Sequence, residues 1–243
     1  MSFLAHKTVR EIAIEMPQST RIFENLKIDY CCGGNSPLLE ACRNAGIEIE
    51  QLERMLAEAH PALAAAGKPD FQTMTLTELV GHIVNQHHIY TKAEITRLEA
   101  LLTKVVAVHG ANHPELRNVQ ELFQQLCADL TPHMMKEEIV LFPYIVELEQ
   151  AQQQRGRTPF APFGTVKNPV RMMMMEHDTA GDILRELSTV TGDYTIPVGV
   201  CISYETLYKA MKEFERDLHQ HIHLENNLLF PRAVEMEEAL ACQ

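Results

Sequence analysis

The sequence predicts an all-α protein, a four-helix bundle preceded by a small helical domain, and two observations carry that prediction. The first is an internal repeat: His133-Met-Met-Lys-Glu137-Glu-Ile-Val-Leu141-Phe142-Pro143 returns as His221-Ile-His-Leu-Glu225-Asn-Asn-Leu-Leu229-Phe230-Pro231, with His, Glu, Leu, Phe and Pro at the same offsets. The second is a matched upstream histidine. His88 lies 45 residues before His133 and His177 lies 44 before His221, each with an aliphatic residue seven positions on (Ile95, Leu184) and a leucine at ten (Leu98, Leu187). Each unit therefore reads as a helix with one inward His followed by a helix with His-x-x-x-Glu, and two units make four helices.

Taken in order, residues 1–60 read as a small helical domain. Apolar positions run through Val9, Ile12 and Ile14, break at Pro17, and resume at Ile22, Phe23 and Leu26. Asp29-Tyr30-Cys31-Cys32-Gly33-Gly34-Asn35-Ser36 follows, a turn on which Ser36 is positioned to cap the next helix. Adjacent cysteines close a disulfide with each other only under strain. At a helix N-terminus such a pair offers thiolates to a metal, to nitric oxide or to a partner's thiol; the plainer alternative is two small core residues. Residues 61–74, rich in Pro, Ala and Gly, read as a linker that separates this domain from the bundle at 75–243.

The bundle opens with Thr75-Leu-Thr-Glu78, a capping box, and its first helix is expected to reach about Val108. The second spans about Pro114 to Gln153, with bends expected near Pro132 and Pro143, each of which removes a backbone donor. Residues 154–167 form a connection long enough to cross the bundle. Asn168-Pro169 reads as an N-cap with Pro at the first helical position, and the third helix carries Met172 to Met175, read as flexible core filling, towards Val190. The fourth starts near Pro197 and passes Tyr204, Leu207, Met211, Phe214 and Leu218 before the second repeat.

Composition narrows the function classes. With 46% apolar residues in 243, the chain can bury a substantial core, and a formal charge of -12 argues against a nucleic-acid or anionic-membrane surface. The N-terminus lacks a basic stretch followed by an apolar run and no later stretch approaches a membrane span, so the expected location is cytoplasmic. Six irregularly placed cysteines do not make a secreted disulfide framework.

Helical residues four apart share a face, so each repeat presents one imidazole and one carboxylate together. The frame selects His88, His133, Glu137, His177, His221 and Glu225 as metal ligands over His82, His87, His219 and His223, which stand off those faces. Four imidazoles and two carboxylates able to bridge suit a pair of ions with open or oxo-bridged positions, iron before manganese or zinc. Asp129 and Asp217, each one turn before a ligand His, and Glu176, beside His177, are the expected acceptors for the outer ring nitrogens.

On these residues the chain resembles the Ric (repair of iron centres) family, the YtfE/ScdA type of di-iron protein with a hemerythrin-like four-helix bundle. The carriers are Asp29-Tyr30-Cys31-Cys32-Gly33-Gly34, the two His-x-x-x-Glu repeats with Leu-Phe-Pro, and Glu176-His177-Asp178. The resemblance implies two non-haem iron ions, held by the four histidines and bridged by Glu137 and Glu225. It also implies a role in restoring iron–sulfur clusters damaged by nitrosative or oxidative stress, by donating iron or removing nitric oxide, with Cys31 and Cys32 as transfer thiols. Expected partners are damaged iron–sulfur proteins and the diatomic ligands NO and O2. A hemerythrin-like gas binder or sensor and a di-iron nitric oxide reductase are the alternatives, so whether the chain is an enzyme stays open, as does association as a homodimer.

Overall fold

The computed structural model describes residues 4–63 and 70–242. Among them every regular element is helical, as predicted. Residues 64–69, the middle of the expected linker, lie outside the described residues, and helix α4 runs three residues into its start.

The N-terminal domain contains α1 (Val9–Glu15), α2 (Ser19–Asn25), α3 (Leu38–Asn44) and α4 (Ile49–Leu63). They close on a core of their own that includes Val9, Ile12, Phe23, Leu38 and Leu52, all fully buried. A Thr8 and Glu11 capping box starts α1. The turn at Cys31 and Cys32 differs from expectation. Ser36 caps nothing: α3 begins at Leu38 after Pro37, so the cysteines precede it by a loop and do not stand at its N-terminus.

The bundle's first helix is built from α5 (Leu76–His82), a π-helical turn at Ile83–His88 and α6 (Ile89–His109), opened by the predicted Thr75 and Glu78 box. Its second joins α7 (Glu115–Lys136), a π turn at Glu137–Leu141 and α8 (Phe142–Gln153). The third is α9 (Lys167–Val190). The fourth joins α10 (Ile202–Leu224), a π turn at Glu225–Leu229 and α11 (Phe230–Ala241). It starts five residues after Pro197, which stays in the connecting loop. Helix α6 packs on α7 and α10, and α9 packs on α7 and α10, so the connection after α8 joins neighbours and does not cross the bundle.

Pro132 sits inside α7 without interrupting it, whereas Pro143 and Pro231 each follow a π turn. A proline has no N–H to give the carbonyl four residues back and crowds it, so the preceding turn widens. Phe142 N–H accordingly bonds Glu137 O and Phe230 N–H bonds Glu225 O, five residues back.

Two apolar clusters fill the bundle at different heights. One gathers Leu98, Leu102, Val119, Leu126, Leu184 and Leu218, and the other Leu79, Ile83, Ile145, Val170, Leu229 and Phe230. The repeated His and Glu residues fall between them on every helix. Of the Met run only Met173 is buried, in the second cluster; Met172, Met174 and Met175 are exposed.

The repeat reaches further than the sequence motif suggests. Glu149 and Glu237, each sixteen residues after the repeat histidine, both cap the N-terminus of the preceding helix of their own unit. Glu149 accepts from Leu76 N (2.7 Å) and Thr77 N (3.0 Å). Glu237 accepts from Val166 N (2.9 Å), Thr165 Oγ1 and Tyr144 Oη (2.6 Å). This carboxylate replaces the predicted Asn168 cap, whose side chain instead donates to Phe163 O, and α9 begins two residues earlier than predicted, at Lys167. Glu237→Ala leaves the Val166 N–H and Tyr144 O–H in the core without an acceptor. The expected loss is about 3 kcal/mol, read as a lower urea midpoint at unchanged slope.

Candidate metal centre

The six repeat-selected residues meet in the layer between the two apolar clusters. His88, Glu137, His221 and Glu225 form one group of donor atoms lying within 4.8 Å of one another, and His133, Glu137, His177 and Glu225 form a second. The two groups share both carboxylates. His88 Nε2 stands 3.0 Å from His221 Nε2, and His133 Nε2 3.0 Å from His177 Nε2. Glu137 Oε2 lies 3.5 Å from His88 Nε2 and 3.4 Å from His133 Nε2. Glu225 reaches the other pair, with Oε1 2.9 Å from His221 Nε2 and Oε2 3.1 Å from His177 Nε2.

All six side chains are at most 3% exposed. Burial opposes charge on Glu225, yet His221, His177 and His88 around it hold its carboxyl well below the usual range. Burial likewise opposes charge on His133, and Glu137 and Glu225 overcome it, pushing the ring up to about 9. His221 goes the other way, lowered by complete burial although Glu225 touches it. Two buried carboxyl groups share this apolar layer, and neither oxygen of Glu137 accepts a hydrogen bond among the described residues, an arrangement that a bound cation would satisfy. Four inward imidazole nitrogens around such carboxylates fit a metal.

The outer ring nitrogens are held in a pattern that helix spacing alone misassigns. His88 Nδ1 meets Glu138 Oε1 at 2.7 Å, His133 Nδ1 meets Glu176 Oε2 at 2.8 Å, and His177 Nδ1 meets Asn226 Oδ1 at 2.8 Å. Each such contact presents Nε2 as the inward lone pair. Glu138 and Glu176 are in turn paired with Lys92 and Lys136. Of the three expected acceptors only Glu176 bonds one of the four histidines, and it serves His133 across the interface rather than its chain neighbour. Asp129 faces solvent, because the His133 ring turns its outer nitrogen towards α9. Asp217 bonds His87 Nδ1 at 3.0 Å and not His221. Glu138 and Asn226, missed from the sequence, occupy one position: each directly follows a repeat glutamate and holds the first His of its own unit.

With this geometry the chain matches the model of the hemerythrin HHE cation binding domain over residues 79–233 and that of the ScdA_N domain of unknown function over 5–60. It is 32% identical over 234 residues to the probable iron-sulfur cluster repair protein of Haemophilus influenzae, covering 96% of this chain and 99% of that one. It is 34% identical to the iron-sulfur cluster repair protein YtfE of Yersinia pseudotuberculosis over 232 residues (96% and 98%), and equally to YtfE of Dickeya chrysanthemi over 231 (95% and 98%). The chain belongs to the iron-sulfur cluster repair family. Its bundle is a hemerythrin-like cation binding domain, and the buried His and Glu cluster is where that domain's metal fits. No described helix is long and apolar enough to cross a membrane.

The second motif of this repair-family chain lies against the first. Asp29 Oδ1 accepts from the backbone of Cys31 (3.1 Å) and Cys32 (2.9 Å) and lies 3.4 Å from Cys31 Sγ. The two sulfurs are 3.9 Å apart and both cysteines are free. Contact with Cys32, burial and the Asp29 charge push the Cys31 thiol well up, the reverse of the depressed thiol expected at a helix N-terminus. Cys32 Sγ rests 3.7 Å from the carbonyl of His177. Asn226 Nδ2 donates to Cys31 O at 3.3 Å, and Asn227 Nδ2 donates to Tyr30 O at 3.1 Å. Despite the linker, the N-terminal domain is therefore docked on the bundle at the second repeat. A cleft of about 480 Å³ opens beside the cysteines, walled by Asp29, Arg185, Arg216 and His219.

Proposed function

We propose that the protein repairs iron–sulfur clusters damaged by nitrosative or oxidative stress, using a di-iron centre held by His88, His133, His177 and His221 and bridged by Glu137 and Glu225. The donor set favours iron, whose bound ions would supply open or oxo-bridged coordination positions. Glu138, Glu176 and Asn226 orient three of the imidazoles. Damaged iron–sulfur proteins are the recipients, in keeping with the relatives' names, and NO and O2 are the small molecules such a centre would meet. In this reading the chain divides into the N-terminal domain 1–60, a linker at 61–74 and the bundle at 75–243, a division supported by the separate core around Phe23 and by the two family matches.

One observation carries repair over gas binding. Asn226 joins the two motifs, donating to the Cys31 carbonyl while accepting from the His177 ring, so the cysteine turn and a ligand share one side chain. A gas carrier has no use for a thiol pair docked there. Cys31 and Cys32 act as transfer thiols, exchanging their protons, which pass to solvent, for an arriving cation, and do not hold the resident pair. A double variant with both cysteines replaced by serine is expected to keep its iron and its absorption spectrum but to lose restoration of a nitric-oxide-treated cluster enzyme. Full restoration by the variant would overturn the transfer role.

A further inference from the structure

The two halves of the centre are not equally supported. Three of the four histidines have a partner for Nδ1 at 2.7–2.8 Å. His221 does not: its Nδ1 is buried without a hydrogen-bond partner among the described residues. The duplication explains where the partner is missing. Glu176 directly precedes His177 and reaches across to His133; the residue that directly precedes His88 is His87, which lies beside His221 in the corresponding place. Its ring stacks on the His221 ring, 10° from parallel with centroids 5.7 Å apart, and has no carboxylate to offer. His87 also engages the carboxylate one helical turn before His221. Its Nδ1 holds Asp217 Oδ1 at 3.0 Å, and Asp217 Oδ2 is buried without a partner.

We propose that the half of the centre built on His88 and His221 holds its iron more loosely than the half built on His133 and His177, and that His87 is the positioning residue responsible. The inference rests on the di-iron reading above and names which ion is available for donation. An imidazole whose outer N–H lacks an acceptor is a weaker and less fixed donor, and loss of such a partner typically lowers metal affinity about tenfold to a hundredfold. The opposite half has both its outer partners, Glu176 on His133 and Asn226 on His177.

The test is the anaerobic release of iron from the full-length loaded protein to ferrozine, with iron content and Mössbauer spectra recorded alongside. The wild type is expected to release one iron per chain about tenfold or more faster than the second and to show two unequal iron environments. His87→Glu, which places a carboxylate where Glu176 stands in the other half, is expected to slow the fast phase towards the slow one. Glu176→Ala, a change at a partly exposed side chain, is expected to accelerate the slow phase and leave the fast one. Release of both irons at one rate, or two phases that neither variant moves, would overturn the proposal while leaving the di-iron reading intact. A wild-type chain that takes up no iron pair would overturn that reading itself.

Discussion

Glu225→Ala is expected to remove most of the bound iron, with the affinity falling more than the roughly tenfold to hundredfold typical of an outer hydrogen-bond partner. Its carboxylate is the most connected group of the centre, 2.9 Å from His221, 3.1 Å from His177 and 3.8 Å from His88. It belongs to both groups of donor atoms, so its loss weakens both halves together. His133→Ala should lower iron as well, by opening one half, whereas His223→Ala should leave it nearly unchanged. Iron per chain after anaerobic reconstitution and desalting measures all three, and full loading of the Glu225 variant would sink the ligand assignment.

His223 carries the second large effect, on stability against pH. It is buried between the bundle and the N-terminal domain, accepting from Asn227 Nδ2 at Nδ1 (2.9 Å) with its ring edge-on to Tyr30, centroids 5.3 Å apart. Burial there pushes its pKa down to about 4. A histidine depressed on folding contributes no penalty above its unfolded value near 6.5. Below that the unfolded chain takes up a proton that the folded chain refuses, so stability is lost progressively as pH falls from about 6.5 to 4. The full loss is on the order of 3 kcal/mol. Urea unfolding at a series of pH values should show it in the wild type and show less of it in His223→Gln; parallel curves for the two proteins would contradict the assignment. Because Asn227 also holds Tyr30 and Arg10, the domain contact is expected to yield first.

The four helices and the six converging residues are legible in the sequence because duplication repeats chemistry at a fixed spacing, which chance does not supply. The outer partners are less so. A spacing of four places Asp129 and Asp217 on the ligand's own helix, but the outer nitrogens face neighbouring helices, and only the packed bundle shows which residue stands opposite. One signal is present: Glu138 and Asn226 hold the same place after the repeat glutamate, and comparing the copies one residue further would single them out. Glu149 and Glu237 extend the same comparison. The turn at Ile83–His88 has no following proline to announce it, unlike its counterparts before Pro143 and Pro231. The docking of the cysteine turn on His177 is a contact across 145 positions of chain, and no local pattern encodes it.

The widened turns also set the phase of the bundle. Each residue of a regular helix advances about 100° around the axis, so one additional residue in a turn re-aims everything beyond it. Three of the four helices carry such an insertion at the height of the buried His and Glu layer, and each therefore presents one stripe to the apolar cluster below and an independently set stripe to the cluster above. Deleting a single exposed residue from such a turn, for example Val140, would restore a regular helix with α8 close to its present register, because the widened turn already absorbs that residue. Closing the turn to a regular helix with all its residues kept would instead swing Leu141 and Ile145 away from the core while the histidine before it kept its place. The insertions work as offsets between two stacked packing problems, which lets the same helix satisfy both.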